Sequence, residues 1–560
     1  MLNRISPPLR APILGFGLGA VAGGFEVVAM AATSRLHLEL SDALLLGVVT
    51  MLTGGAVGLF FGGISGLLLA ALTRSWLTAA RNGAGMAATA GMLGWWYFIP
   101  LALEKFDQQL VPAAAAFALT PVGIVGVTWF NAHYWFRRED IGEERRFGWW
   151  AVSFLVGLVV SLGGGWSLSD ADYGSSRALE GDPAVLLVTV DGLRGDVYAA
   201  DGPHPLPILR ELAEEGVVYT NAITPSPGTR AAHAALFTGR HPVRLDQVEP
   251  DARLSRGYET LTEVLKGEGY ATGAFVSGGA LTAGSGLSQG FEVYDDDLLG
   301  GIAGLSAARA VQVASAVLGG LLPQRRADAE TIAKAEAWMA AAGPKPFLSW
   351  VHLAGPMPAV EAGDPVAYAA AVRALQAPLD GLIRAASEAS GDAPLVVIVV
   401  GAHGGLLGEH EGSGAAALWD EVVHVPLVIV PHKLSEKTRV VPQQVRLMDL
   451  PATVLDLLRL DPMEHSEGAD LLAFAEGRRT KHFSSLLVAR SPRGLQLGYR
   501  AARADEQGNV KFLLDPASGA GRLFDLVDDP AEQTDIAGEQ PAAVAALREQ
   551  IASEAGALAR

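Results

Sequence analysis

The chain reads as an α/β protein with a mostly parallel central sheet, preceded by an all-α bundle of five membrane-spanning helices. Three observations lead there. Five long apolar stretches fall before residue 170, strand-like runs alternate with helical patterns after it, and a polar linker separates the two halves. Strands alternating with helical patterns are what a parallel sheet with crossover helices requires.

The apolar stretches are about Ala11–Ala32, Ala43–Leu72, Ala84–Leu103, Ala113–Phe130 and Gly148–Trp166. Each is near the roughly 20 residues that cross hydrocarbon. A cleaved signal peptide would account for the first alone. Buried helices of a soluble domain fit poorly, because little polar sequence separates the stretches. Arg4 and Arg10 precede the first, Arg74 and Arg81 follow the second, and Arg137, Arg138, Arg145 and Arg146 follow the fourth. The other two short loops carry only Arg35 and Lys105. By the positive-inside rule the N-terminus is cytoplasmic, and five crossings place everything after Trp166 outside. The expected protein is therefore a multi-pass inner-membrane protein with membrane lipids as partners and a periplasmic C-terminal domain. Glu26, within the first span, is a functional candidate that also fits an interfacial position.

Residues 167–183 read as the linker, so the expected domains are 1–168, 184–440 and a C-terminal subdomain over 441–560. The stretch Leu298–Leu322 is long and Ala/Gly-rich, but Arg309 and Gln312 argue for a partly buried helical insertion over a sixth span. Strands are expected at Ala184–Val190, Tyr270–Ser277, Pro346–Val351, Leu395–Val400 and Val425–Val430. Helices are expected at Pro205–Glu215, Leu261–Glu268, Ala327–Ala342 and Pro365–Ser390. The first 170 residues hold ten Lys+Arg and ten Asp+Glu, so the whole net charge of −18 resides in the remainder. An acidic domain argues against a nucleic-acid partner, since phosphate contacts need clustered positive charge. The absence of cysteine excludes disulfides and thiolate metal sites.

Four segments carry candidate chemistry. The run AVLLVTV ends directly on Asp191, at the carboxyl end of a strand, where open α/β sheets place their sites. Asn221–Pro242, NAITPSPGTRAAHAALFTGRHP, places Thr229 at the start of an Ala-rich helix. A hydroxyl there is placed to attack an anionic ester, and fits equally as an ordinary helix cap. FLSWVHLAGPMP carries His352, which also fits as a plain strand residue. LVVIVVGAHGGLLGEHEG delivers His403 just past a strand, with Glu409 and His410 soon after.

In their spelling and order, these blocks resemble the sulfatase family of the alkaline-phosphatase superfamily. So do Phe275–Leu298, Val445–Leu458 and Arg522–Ala537, which extends the resemblance over about residues 183–550. It implies a metal-dependent hydrolase or transferase of sulfate or phosphate esters, with a divalent cation (calcium, or zinc, magnesium or manganese). The metal ligands it implies are Asp191 and His403. It implies Thr229 as nucleophile, with Arg230 and His233 beside it in the catalytic segment. Arg194, Arg240 and His410 would then serve substrate, with Arg244 adding to the positive field. Sulfatases proper carry Cys or Ser at the position of Thr229, converted to formylglycine, and that chemistry is excluded here.

Gly192, Met357 and Ala402 stand where family members often have Asp, His and Asp, Gly405 where Glu is frequent, and Ala415 near an expected His or Lys. Oxygen-ligand affinity scales with the count of charged ligands, so these losses weaken the implied metal site. Two functions are compatible with this pattern: an extracytoplasmic ester hydrolase, or an inactive module that binds a glycan, a lipid head group or a protein partner. Glu409, Glu411 and Asp420 are the carboxylates available to rebuild the site.

Overall fold

Apolar runs with no alternation form the middle of a parallel sheet, because both faces of such a strand are covered. The computed structural model shows this at β1 (Ala184–Asp191), which is buried along its whole length. It describes residues 178–556, apart from 179–180, 200–201, 299–324, 344, 411–413, 415–416, 432–438, 481–482, 492–493 and 503–508. The five expected spans, nearly all of the linker and the insertion after Leu298 lie outside the described residues. Among the described residues no helix is long and apolar enough to cross a membrane.

The other strands of the main sheet are β2 (Val217–Ile223), β3 (Ala271–Val276), β4 (Val293–Asp295), β5 (Phe347–Leu353), β6 (Leu395–His403), β7 (His424–Val430), β8 (Arg439–Val441) and β9 (Val445–Arg446). Their order is β4-β3-β5-β1-β6-β7-β2-β8, with β9 also on β2. All pairings are parallel except β6–β7 and β2–β7. The five strands expected from sequence are present, and β2, which was not expected, carries the chain into the Thr229 segment. Alternate residues of β1 feed two cores. Val185 and Leu187 pack with Trp350 and Phe237 on one face, and Leu186, Val188 and Val190 with Leu209, Leu379 and Leu382 on the other.

Helices cover both faces: α1 (Ile208–Glu215), α2 (Thr229–Thr238), α3 (Leu261–Glu268), α4 (Asp328–Ala341), α5 (Met357–Ala362), α6 (Pro365–Ala374), α7 (Gln376–Ser390), α8 (Asp420–Val423) and α9 (Leu450–Leu457). Helix α3 begins with a capping box, Thr260 with Glu263, as its sequence dictates. The helical pattern Pro365–Ser390 splits at Leu375 into α6 and α7. Pro378 is the reason. It has no N–H for the Ala374 carbonyl and its ring crowds that group, so it is tolerated only in the first turn of a new helix.

The C-terminal part adds α10 (Leu472–Ala475) and an antiparallel sheet of β10 (Ser485–Ser491), β11 (Gly494–Ala502), β12 (Asn509–Leu514) and β13 (Gly521–Asp525). Helix α11 (Pro541–Ala555) closes this second core with Ile551 and Ala555. Val488 N–H donates to the Pro225 carbonyl at 3.0 Å, which props the loop leading to Thr229.

His241, just past α2, ties that segment to the second sheet. Its Nε2–H donates to the Leu486 carbonyl (2.9 Å), so Nδ1 accepts from Val243 N–H (3.3 Å). Burial pushes its pKa down from 6.5 to about 4. The unfolded chain therefore binds a proton that the folded chain refuses between those values, and stability falls as pH drops through that window. One such proton is worth about 1.4 kcal/mol per pH unit. His241→Gln should lose less stability than the wild type between pH 6.5 and pH 4.5, as read by urea unfolding at each pH.

Candidate active site

Sheet register assembles the site. Thr189 on β1 lies beside His352 on β5, and Asp191 lies beside His403 on β6, so one face of three adjacent strands carries all four. The pairing on β6 passes from Val190–Gly401 to Asp191–His403, leaving Ala402 as an extra residue. A bulge of this kind re-aims the side chains beyond it. Without it Ala402 would oppose Asp191, and His403 would point to the other face.

Helix α2 lies over the same face. Its N-cap is Gly228, so Thr229 is the first residue inside the helix and its hydroxyl is free of any capping role. That hydroxyl donates to Asp191 Oδ2 at 2.8 Å and lies 3.3 Å from His403 Nε2. The Gly404 carbonyl takes the His403 Nδ1–H (2.9 Å), which leaves Nε2 facing Thr229 and, at 3.4 Å, Asp191 Oδ1. His233, one turn along α2, donates Nδ1–H to the Thr229 carbonyl (2.7 Å) and accepts at Nε2 from the Thr189 hydroxyl (2.9 Å). Trp350 Nε1–H donates to the same hydroxyl at 3.0 Å. His352 Nε2 lies 3.3 Å from Asp191 Oδ2. Thr229 alone of this group is part-exposed; Asp191, His233, His352 and His403 are buried.

Burial opposes charge on Asp191, yet His352 and His403 outweigh it and hold the carboxyl well below the usual carboxylate range. Burial likewise opposes protonation of His403, and the Asp191 carboxylate reverses this and raises its pKa above 6.5. At His233 burial prevails, helped by His352, and the pKa falls to about 3. His233 is thus a neutral positioning group, stapling the first turn of α2 to β1.

Asp191, Thr229, His233 and His403 are brought together as residues of one site. The expected substrate-binding cations are not. Arg194 is buried and committed to Asp196 (3.0 Å), to Glu409 and to the Gly405 carbonyl (3.2 Å), which makes it a structural tie. Arg230 turns away to the Ala280 carbonyl at 2.7 Å, and Arg240 lies over the Tyr258 ring. His410 stacks on Trp419 at 3.8 Å beside Glu421, because a flat partner and a carboxylate hold it there. Arg244 pairs with Glu467. Of the carboxylates available for rebuilding, Glu409 is held by Arg194 and Asp420 by Arg500 and Lys511. Glu411 and Ala415 lie outside the described residues. His352 is the member that sequence reasoning did not place, since a His near a strand end carries no mark of which neighbouring strand it will meet.

The positions lacking the usual ligands are filled by apolar packing. Gly192 has φ +76°, and a Cβ there would meet Met357 Sδ at 3.1 Å and Val360 Cγ2 at 3.4 Å. A Cβ at Gly405 would collide with Val360. Gly192→Asp therefore should not rebuild a ligand. It should cost about 1–3 kcal/mol for left-handed backbone in a residue with a Cβ. Met357→Ala in the same chain removes the contact and leaves that backbone cost, a difference that urea unfolding will resolve.

One carboxylate, three imidazoles and a hydroxyl form the donor set. Calcium wants six to eight oxygens, and this set does not supply them. Asp191, His233 and His352 do present ligand atoms within 4.8 Å of one another, a possible Asp/His/His metal site.

The Sulfatase family model matches residues 183–460. An ulvan-active sulfatase of Formosa agariphila is 33% identical over 92 residues, 16% of this chain and 18% of that protein. Arylsulfatase K of Xenopus laevis is 25% identical over 192 residues, 32% and 35% of the two chains. Arylsulfatase A of Bos taurus is 35% identical over 116 residues, 19% and 23%. The chain thus spans between 18% and 35% of these curated relatives. Among solved structures, the phosphonate monoester hydrolase of Agrobacterium radiobacter aligns with TM-score 0.52 and 18% identity, over 66% of this chain and 95% of that one. A 2-O GAG sulfatase aligns with TM-score 0.51 and 17% identity, over 67% and 93%. At such identities the likeness to these structures is one of fold.

Proposed function

We propose that residues 183–460, which the Sulfatase family model matches, form a domain that cleaves or transfers an anionic sulfate or phosphate ester, with Thr229 as nucleophile. The observation that carries this reading is the Thr229 hydroxyl, part-exposed in the first turn of α2, 2.8 Å from Asp191 and 3.3 Å from His403. The amides of a helix's first turn favour an anion. In the step itself the Thr229 Oγ–P or Oγ–S bond forms while the bond to the leaving alkoxide breaks. The hydroxyl proton passes to His403 Nε2 and from there to the leaving alkoxide. Water or an acceptor hydroxyl then breaks the threonyl ester and regenerates Thr229. Relatives that are arylsulfatases or ulvan-active support an aryl or polysaccharide ester as substrate class. The distribution of arginines around the apolar stretches supports a membrane-anchored chain whose domain faces outside the cytoplasm.

The test is to quench the full chain during reaction with aryl sulfate, phosphate monoester and phosphate diester probes, and to map modified peptides. One sulfuryl or phosphoryl group on the Thr229 peptide is expected. Turnover without any such adduct, and undiminished in Thr229→Ala, would rule out the nucleophile.

A second reading has its own support. The apolar filling by Met357 and Val360, together with the diversion of Arg194, Arg230 and Arg240, suits a domain that binds a glycan, a lipid head group or a protein partner without turnover. Saturable binding of a sulfated polysaccharide, with no hydrolysis of any probe, would establish it.

A further inference from the structure

Asp191 and His352 are hydrogen-bonding groups buried with atoms that nothing satisfies. Asp191 Oδ1 and both ring nitrogens of His352 have no hydrogen-bond partner, and the two residues are 5% and 0% exposed. Buried polar groups are paired in the great majority of cases, and an orphan of this kind costs about 1–3 kcal/mol. The unpaired His352 Nε2 beside the Asp191 carboxylate marks a place where something else is bound.

The spacings say what. His352 Nε2 lies 3.3 Å from Asp191 Oδ2, and His403 Nε2 lies 3.4 Å from Asp191 Oδ1. These are long for charge-assisted hydrogen bonds, which run about 2.7–2.9 Å. The His352–Asp191 spacing matches the separation of neighbouring donors around a tetrahedral cation, roughly 3.3–3.4 Å for bonds of about 2.0–2.1 Å, and the His233 ligand atom lies within 4.8 Å of both.

We propose that Asp191, His233 and His352 hold a borderline transition-metal dication of the zinc class, in preference to calcium or magnesium. Imidazole suits zinc, iron, copper and nickel, whereas calcium and magnesium select carboxylates, carbonyls and water. His233 is already arranged as such ligands are: its Nδ1–H is fixed on a backbone carbonyl, that of Thr229, which leaves Nε2 to coordinate. Binding there exchanges the Thr189 hydroxyl for the metal. Gly278 makes room for the His352 ring, since a Cβ at that position would lie 3.1 Å from its Cε1. Thr229 and His403 are not among these ligands, so the proposal holds whether or not the domain turns over an ester.

The test uses the full chain, stripped with chelator and titrated with Co2+, whose visible absorption reports nitrogen and oxygen coordination. One Co2+ per chain with a clear band is expected. Zn2+ should displace it at stoichiometric amounts, and about a hundredfold excess of Ca2+ should leave it in place. His352→Ala and His233→Ala should each weaken Co2+ binding by at least about tenfold. If a variant fails to fold, the Zn2+ over Ca2+ preference of the wild type decides alone. No band in the wild type, displacement by Ca2+ as readily as by Zn2+, or wild-type affinity in both variants would overturn the proposal. Tight Zn2+ binding without ester turnover would uphold it while refuting the hydrolase reading. Turnover by a chain that binds no Co2+ or Zn2+ would do the reverse.

Discussion

Thr229→Ala should slow ester turnover by about 10^4-fold or more, because loss of one member of a group that acts together removes most of its effect. Stability should change by no more than about 1 kcal/mol, the usual worth of one hydrogen bond. Alanine suits the first turn of a helix, and Asp191 keeps His352 and His403 beside it. Thr229→Ser keeps the hydroxyl and should retain most of the rate, which separates chemistry from packing. The pH profile adds an independent sign. The Asp191 carboxylate raises the pKa of His403 above 6.5, so its Nε2 can take the Thr229 proton only on the alkaline side. Turnover should therefore rise with pH through a pKa above 6.5. A rate that falls over that range, or one indifferent to Thr229→Ala, would sink the assignment.

Lys511→Met should cost about 3–5 kcal/mol, as breaking a buried ion pair by removing one partner does. Lys511 is fully buried, with Asp420 at 2.8 Å and Glu532 at 2.9 Å, and Asp420 also pairs with Arg500 at 2.9 Å. Burial opposes charge on Asp420, yet Arg500 and Lys511 prevail and lower its pKa. Burial and the neighbouring Asp420 push Glu532 up, to about 7. Glu532 thus binds its proton more tightly folded than unfolded. Its contribution to stability is complete below 4.5 and is lost as pH rises to about 7. Glu532→Gln keeps the neutral form at every pH, so it should cost about 1 kcal/mol or less at pH 7 and flatten that part of the stability curve. Urea unfolding of both variants at pH 5 and pH 7 checks the pair of claims. The effect should reach the site as well. Asp420 begins α8, where the Val422 and Glu421 carbonyls accept from Gly404 N–H (2.7 Å) and Gly405 N–H (2.9 Å), directly after His403.

Much of the sheet was legible in the sequence because β1, β3, β5, β6 and β7 are apolar runs bounded by turn residues. Strands buried on both faces leave that mark whatever their order. Helix α3 was legible as a helical pattern over Leu261–Glu268, and its capping box fixes the start. The split at Leu375 was also written locally, in Pro378. Strand β2, VVYTNAI, was not found, since its run is interrupted by Thr220 and Asn221 and its pairing with β7 and β8 is long-range.

At the site, the sequence by itself determined that Asp191 ends a strand, that His403 falls just past one and that Thr229 begins a helix, because apolar patterning and turn chemistry are local. Only the tertiary structure decided which groups meet. His352 reached Asp191 through the parallel register of β1 and β5, and His403 through a bulge at Ala402 that no residue type announces. Arg194, Arg230, Arg240 and His410 were lost to the site because charges and rings pair with whatever partner the fold brings nearest. A carbonyl at Ala280 or a ring at Tyr258 competes for an arginine as effectively as a substrate does. Such competition is settled by distance in space, which sequence spacing does not contain.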